Sequence, residues 1–300
     1  MTLEDAYREF IETKKLAGCA PKTITDYSSF VGMYVRYVGP TIDVGNLTPQ
    51  MTNDYILNVR EQNLSKSTRS TYIRNMKIFL RWIEKECNLD VNVKKIYVPK
   101  AGRALPHIYS STEIMQIFQA IESNEEWIVK RNRAAIALML DSGLRQSEVC
   151  YLQLNDINFN TNIITVVGKG DKMRLVPLGN IAKALIIQYM QIQPYCGQTF
   201  FTSKEGYPLT QDALKHILYK LSTKLPFTVS SHRLRHNFAT NYCLDQYREF
   251  GKVDIYTLMV IMGHNDIKTT EIYLHHAKEI LAAEQHVSHL DKLVSKNANC

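Results

Sequence analysis

The sequence has few features of secreted, membrane-spanning or metal-binding proteins. Its six cysteines are scattered and form no CxxC pair, so neither a disulfide framework nor a zinc ribbon is predicted. No apolar run approaches the roughly 20 residues that span a bilayer, and the N-terminus lacks the hydrophobic region of a signal peptide. These absences predict a cytoplasmic protein that makes no membrane contact.

The composition is that of a folded protein of about two domains. The chain has 300 residues, of which 45% are hydrophobic and 22% charged. Its net charge of +7 is uneven, because residues 1–106 hold 16 Lys+Arg against 11 Asp+Glu and the remainder 20 against 18. Such a surplus suits a polyanion such as DNA, since phosphate contacts release condensed counterions, although many basic proteins bind no nucleic acid.

Residues 1–90 are predicted to form an all-helical domain of four helices. Each helix combines an apolar stripe at helical spacing with a local start or stop signal. The first stripe covers residues 3–11, and its helix ends near Gly18. Pro21 begins the second helix and Gly39-Pro40 ends it. Thr48-Pro49 begins the third helix, and Ser65 or Ser67 can cap the fourth.

The fourth predicted helix carries a basic stripe. Arg74, Lys77, Arg81 and Lys85 fall on nearly one face, opposite the apolar residues of the same helix. A solvated basic face is the ordinary explanation for such a pattern. Glu84 and Glu86 are, however, the only acidic residues between Glu61 and Cys87, so we interpret the stripe as a DNA-backbone contact.

Residues 91–108 are predicted to be a linker. Lys94, Lys95, Lys100 and Arg103 alternate there with proline and glycine, a composition that favours an extended chain. A basic extended segment can cross a DNA groove, but a plain surface connection fits the pattern equally well.

The second segment begins with a capping-box match, Ser110-x-x-Glu113. An apolar helix then ends at Asp141-Ser142-Gly143, and a new helix follows Arg145. Arg145 is therefore held between two helices. An N-terminal salt bridge with Glu148 is an alternative explanation for its presence.

Two β-rich segments, 163–167 and 173–177, flank the loop Gly168-Lys169-Gly170-Asp171-Lys172. This arrangement predicts a β-hairpin with a basic tip. The loop does not match the GxxxxGK[ST] pattern and opens no helix, so nucleotide binding is not indicated. A lysine that reaches into a DNA groove fits the loop better.

Ser231-His232-Arg233-Leu234-Arg235-His236 is a dense run of polar residues. His232 and Arg235 share one helical face, and the spacing of His232 and His236 suits zinc. The metalloprotease pattern HExxH is nevertheless absent, and the two arginines would repel a cation. We therefore predict no metal site.

The segment Met262–Tyr273 links two predicted helices. Gly263 is suited to the left-handed position that ends the first helix, and Asn265 or Asp266 can cap the second. His264 is thereby held at a helix end, with Tyr273 about two turns into the next helix. Ordinary core packing is the alternative role for this tyrosine.

Together these segments resemble the tyrosine recombinases, or phage integrases, and in length and layout their Xer-type members. The resemblance covers nearly the whole chain. It rests on four motifs in the family's order: Ser142–Glu148, Gly168–Lys172, His232–Thr240 and Met262-Gly263-His264 with Tyr273.

The resemblance implies a mainly α fold with a small antiparallel β-sheet. An N-terminal four-helix, SAM-like core-binding domain would span residues 1–90, with the linker over 91–108. The catalytic domain would span 109–278, and a tail helix over 279–300 would contact a neighbouring subunit.

The resemblance also implies a reaction that needs neither metal, cofactor nor ATP. Tyr273 would attack a phosphodiester to give a 3′-phosphotyrosyl link, with His232 as proton acceptor. Arg145 and Arg235 would hold the non-bridging oxygens, and Lys169 would protonate the departing 5′-oxygen. The sixth implied catalytic residue, His264, would donate a hydrogen bond to the phosphate.

Two departures from the family pattern bear on the biological role. Met262 stands where leucine is usual, and the chain has extra length near Gln246–Lys252. The extra length favours the integrase of a mobile element, and an Xer-like dimer resolvase is the alternative. A type IB topoisomerase and a non-catalytic DNA-binding protein fit the sequence less well. The expected partner is duplex DNA with inverted half-sites, bound by a homotetramer.

Overall fold

The computed structural model describes residues 1–89, 93–99, 107–168, 172–195, 197–284, 286 and 288. The chain divides into two compact units, Met1–Ala104 and Leu105–Cys300. Both are mostly helical, and the second contains a three-stranded antiparallel sheet, so the predicted fold class is confirmed. Within the described ranges, no helix is long and apolar enough to cross a membrane.

Four helices build the first unit, as their apolar stripes predict. The Thr48 hydroxyl accepts a hydrogen bond from the Met51 amide, and Ser65 accepts one from the Thr68 amide. Ser65, not Ser67, therefore caps the fourth helix. The helices are α1 (Leu3–Leu16), α2 (Pro21–Val38), α3 (Pro49–Glu61) and α4 (Lys66–Glu86).

The core of the first unit extends into the predicted linker. Val93 and Ile96 are buried against the helices, and the Lys77 ammonium donates a 2.6 Å hydrogen bond to the Ile96 carbonyl. The described start of the linker is thus packed on the first unit. Lys100 and Arg103 lie outside the described residues.

The second unit has eight α-helices among its described residues. The predicted capping box is present, because Ser110 and Glu113 exchange side-chain to backbone hydrogen bonds. The helices are α5 (Ser111–Gln119), α6 (Glu126–Asp141), α7 (Gln146–Tyr151), α8 (Asn180–Met190), α9 (Gln211–Lys224), α10 (Ser231–Phe250), α11 (Ile255–Met262) and α12 (Ile267–Glu284).

The predicted hairpin consists of β2 (Ile163–Val167) and β3 (Met173–Pro177), which pair antiparallel with Val166 opposite Arg174. A short strand that the sequence did not indicate, β1 (Ile157–Asn158), pairs with β2. Residues alternate between the two faces of a strand, and Val166 and Val176 point into the main core. The sheet thereby attaches the hairpin to the helices.

Helices α10, α11 and α12 enclose a second, smaller core. It contains Cys243, Leu258, Met262 and Tyr273 and is separate from the main core of the unit. Gly263 ends α11 in the predicted left-handed conformation, with φ of 61°. The Asp266 carboxylate accepts a hydrogen bond from the Lys268 amide at the start of α12.

Candidate active site

The turn between α6 and α7 brings Arg145 beside the end of α11. Gly143 adopts a φ of 61°, and a Cβ there would lie 2.4 Å from the Phe238 ring, so the turn requires glycine. Arg145 follows as the N-cap residue of α7. Its Nη2 donates a 2.8 Å hydrogen bond to the Gly263 carbonyl, 118 residues further along the chain.

Glu148 is surrounded by three guanidinium groups. Arg145 donates to it from Nη1 at 2.8 Å, and Arg174 on β3 binds both carboxylate oxygens at 2.8 Å. The Arg235 Nη1 atom lies 4.0 Å from the same carboxylate. The predicted Arg145–Glu148 salt bridge is therefore present, within a larger network.

The charge of this network favours an anion. Burial raises the pKa of Glu148, but the hydrogen bonds and charges of Arg174 and Arg145 outweigh burial and lower the pKa to about 2. Glu148 is thus ionised at neutral pH, and the three arginines leave an excess of two positive charges. A phosphodiester is an anion with two non-bridging oxygens that arginine can bind.

Arg235 bridges the ends of two helices. Its Nη1 donates to the Gly143 carbonyl after α6, and its Nη2 donates to the Met262 carbonyl at the end of α11. Burial, with the charge of Arg145, lowers the pKa of Arg235 to about 10. The side chain therefore stays charged at neutral pH and still has N–H groups for a ligand.

His264 is oriented by bonds from both ring nitrogens. Nδ1 lies 2.9 Å from the Thr270 hydroxyl, and Nε2 lies 3.4 Å from Arg235 Nη2. Because an arginine can only donate, Nε2 accepts in this state and Nδ1 carries the proton. Burial, with the charges of Arg235 and Arg145, lowers the pKa of His264 to about 4.

Tyr273 is buried, with 4% of its surface exposed. His236 makes an edge-to-face contact with its ring at 5.0 Å, and His264 stacks on it at 6.1 Å between centroids. No hydrogen bond joins its hydroxyl to another described residue. Burial raises the pKa of Tyr273, and the charges of Arg235 and Arg145 oppose that rise.

His232 and His236 form a pair on α10. Their Nε2 atoms are 2.7 Å apart, which makes them hydrogen-bond partners. His232 is exposed, and burial, with the charge of Arg235, lowers its pKa. Of the two, only His236 makes a ring contact with Tyr273.

Some predicted site residues lie apart from this cluster or outside the described residues. Lys169 is outside them, although the bond from the Gly168 amide to the Lys172 carbonyl closes the base of its loop. On α4, Arg74, Arg81 and Lys85 are exposed, whereas Lys77 is bound to the linker.

Three residues of the site have no role in the sequence-based prediction. Arg174 lies in a predicted strand, and its pairing with Glu148 spans 26 residues. The spacing of His236 suggests only a zinc ligand, and Thr270 has no distinguishing sequence signal. A cation on the inward face of a half-buried strand was the one local signal that pointed to Arg174.

The lowered pKa values of His236 and His264 predict that the folded protein loses stability in acid. Burial, with the charge of His232, also lowers the pKa of His236 to about 4. An unfolded imidazole titrates near pH 6.5, so between about pH 6.5 and 4 the unfolded chain takes up protons that the folded chain does not. We expect the free energy of unfolding to fall over this range by on the order of 1–3 kcal/mol, because both rings are partly solvated.

Urea unfolding at pH 7, 5.5 and 4.5 measures this fall. The variant His236→Gln, His264→Asn removes both imidazoles and should show a shallower dependence on pH. An equal slope for both proteins would contradict the assignment to these two histidines.

Sequence profiles of two known families match the chain. The profile described as phage integrase family matches residues 109–279. The profile of the phage integrase N-terminal SAM-like domain matches residues 7–89. Among relatives, tyrosine recombinase XerC of Lacticaseibacillus casei (strain BL23) is 27% identical over 288 residues, which cover 90% of this chain and 92% of that protein. Tyrosine recombinase XerD of Halalkalibacterium halodurans is 25% identical and covers 92% and 95%.

Solved structures show the same fold. The Tn1549 transposon integrase, in complex with transposon right-end DNA, superposes with a TM-score of 0.74 at 17% identity and covers 95% of this chain and 99% of that one. A lambda integrase dimer bound to a COC′ core site gives 0.74 at 18%, covering 91% and 95%. XerH bound to a palindromic difH substrate gives 0.72 at 23%, covering 90% and 81%.

Proposed function

Since the chain belongs to the phage integrase family of tyrosine recombinases, we propose that its six predicted catalytic residues cut and rejoin DNA at specific sites through a 3′-phosphotyrosyl intermediate. One observation carries this proposal. Arg145 and Arg235, 90 residues apart, donate to the carbonyls of Gly263 and Met262. Both guanidiniums thus meet the turn that presents His264 and leads to Tyr273.

The phosphate would bind at the arginine pair. Arg145 keeps 37% of its side chain exposed and is the accessible member, whereas the Arg235 side chain is 7% exposed. Guanidinium forks match the non-bridging oxygens and stabilise the charge that develops on them in the transition state. The bound phosphate would favour protonation of His264, which would turn its Nε2 from an acceptor into a donor.

Attack would then begin at Tyr273. Its hydroxyl proton passes to His232, the new bond joins the tyrosine oxygen to phosphorus, and the bond to the 5′-oxygen breaks. Lys169 gives its proton to that oxygen. Rejoining reverses these steps with a different 5′-hydroxyl, and the phosphotyrosyl link conserves the bond energy.

The test uses a duplex that carries the candidate site with a nick close to the cleavage position. Cleavage releases a short DNA fragment that carries the 5′-hydroxyl. Because this fragment diffuses away, religation is blocked, and a covalent protein–DNA band should accumulate in the presence of EDTA. The DNA in this band should carry the protein on its 3′-end. Absence of the band on every duplex that the protein binds specifically would contradict the proposal. Relaxation of supercoiled plasmid without the site would instead favour a type IB topoisomerase.

We propose that the stripe of α4 contacts the DNA backbone, chiefly through its exposed members. Arg81→Ala should weaken DNA binding uniformly across sequences and reduce the slope of log K against log salt by about 1, since one phosphate contact is lost. Titrations at several salt concentrations measure this slope. Lys22→Ala, which removes a lysine paired with Asp26, serves as the control. An unchanged slope for Arg81→Ala would contradict the contact.

The biological role proposed is integration or excision of a mobile element. The extra length near Gln246–Lys252 forms the exposed end of α10, a surface available for element-specific contacts. The Xer relatives support dimer resolution as the second candidate. Both roles place the enzyme in the cytoplasm. A plasmid that carries the gene with its flanking DNA separates them: an excised circle indicates a mobile element, and conversion of plasmid multimers to monomers indicates a resolvase.

We propose that a homotetramer acts on inverted half-sites and that the C-terminal tail joins its subunits. Of the predicted tail, 279–300, the structure describes residues 279–284, 286 and 288. Glu284 pairs with Arg248. Deletion of 285–300 keeps this ion pair. The truncated protein should still cleave DNA but should not complete recombination between two sites, and full recombination would contradict the proposal.

A further inference from the structure

The proposed reaction gives no role to His236, although this side chain contacts two of the residues that take part in it. Its Nε2 atom lies 2.7 Å from His232 Nε2, and its ring meets the Tyr273 ring at 5.0 Å. It therefore touches both the proposed proton acceptor and the proposed nucleophile. No hydrogen bond or ring contact joins those two residues within the described part of the chain.

The His232 bond sets the orientation of the His236 ring. The His236 Nδ1 atom is buried, and no described residue bonds to it. A buried nitrogen without a partner costs free energy, so the ring position must be determined by its other contacts. These are the bond to His232 and the contact with Tyr273.

The charged and titratable groups near His236, other than His232, make no hydrogen bond with it. Arg235 precedes it on α10, while His264 and His276 approach from the turn after α11 and from α12. The Arg235 side chain is occupied by the Gly143 and Met262 carbonyls, and His264 by Thr270 and Arg235.

We propose that His236 is a positioning residue for the attack step: it holds the His232 imidazole by a hydrogen bond and the Tyr273 ring by an edge-to-face contact, so that acceptor and nucleophile are presented together. This inference rests on the proposed function. It assigns His236 to the deprotonation of the tyrosine and not to the arginine site that binds the phosphate.

Two variants separate the two contacts. His236→Phe keeps an aromatic ring against Tyr273 but cannot bond to His232, whereas His236→Gln keeps a polar group near the position of Nε2. We expect His236→Phe to slow covalent complex formation on the nicked duplex by about 10- to 100-fold, as loss of a supporting hydrogen bond does at other sites. His236→Gln should retain the rate within about fivefold, because the bond is replaced.

A joining reaction distinguishes positioning from general damage. The substrate is a duplex whose 3′-phosphate carries p-nitrophenol, and each protein also carries Tyr273→Phe, so that only an adjoining 5′-hydroxyl can attack the phosphorus. The new bond joins phosphorus to the 5′-oxygen, p-nitrophenolate leaves without needing a proton, and the hydroxyl proton passes to Lys169 or water. This reaction needs the arginine site but neither ionisation nor protonation of Tyr273.

Both His236 variants should join this duplex at rates within about threefold of Tyr273→Phe alone, since the arginine site is intact. Arg235→Lys should slow cleavage and joining alike. Equal loss of both reactions in His236→Phe, or unchanged cleavage, would overturn the inference. If the wild type itself formed no covalent complex, the recombinase proposal would fail instead.

Discussion

Tyr273→Phe should abolish the covalent protein–DNA complex, with a fall in its rate of formation of at least ~10⁴-fold. The change removes the hydroxyl oxygen that would attack the phosphorus. Phenylalanine keeps the ring contacts with His236 and His264. The tyrosine hydroxyl bonds to no described residue, so its loss removes no hydrogen bond. The variant should therefore fold and bind DNA as the wild type does.

The measurement compares covalent complex on the nicked duplex with DNA affinity for the same protein. Tyr256→Phe is the matched control, since Tyr256 lies on α11 in the same unit and is exposed. It should react at the wild-type rate. A covalent band with the Tyr273 variant at more than a trace level would show that another residue is the nucleophile.

The burial of Tyr273 bears on its reactivity. The side chain is 4% exposed, and the rings of His236 and His264 lie against it. Burial also raises the pKa of Tyr273, so the DNA-free tyrosine is a poor nucleophile. We expect it to react only once a phosphate is held at the arginine pair and a proton acceptor is in place.

The local signals of the sequence predicted helix boundaries in both units and the hairpin beside the site. The structure confirms three of these helix boundaries. The hydroxyls of Thr48 and Ser65 cap helices by local hydrogen bonds, and Gly263 ends a helix by its left-handed dihedral angles. The hairpin likewise follows from two β-rich runs around a glycine-containing loop. Such features depend on a few consecutive residues and need no knowledge of the rest of the chain.

The contacts that build the site were not predictable in the same way. Arg174 reaches Glu148 because β3 packs on α11, where the Arg174 Nε atom donates to the Ile261 carbonyl. Lys77 bonds to Ile96 because Val93 and Ile96 pack into the core of the first unit. Neither pairing has a periodic signal. The burial of Tyr273 depends on the packing of three helices, which the spacing of its motif does not encode.

The second large effect is expected for Arg235. Its fork joins the carbonyl groups of Gly143 and Met262, where two helices end and their dipoles favour a cation. Lysine keeps the charge but presents a single ammonium group, which cannot hold both carbonyls and a phosphate oxygen. Arg235→Lys should slow covalent complex formation by about 10³-fold or more, as loss of a phosphate-stabilising arginine does elsewhere. It should also lower the free energy of unfolding by roughly 1–3 kcal/mol, since one buried carbonyl loses its partner.

Single-turnover cleavage and urea unfolding, measured on the same preparations, separate these two effects. Arg248→Lys is the control, because Arg248 lies on the same helix about 20 Å from Arg235 at 1.5 Å per residue and pairs with exposed Glu284. It should leave both quantities close to wild type. If Arg235→Lys lost stability but cleaved at the wild-type rate, Arg235 would only join α6 to α11. Arg145, the more exposed of the two guanidiniums, would then bind the phosphate alone.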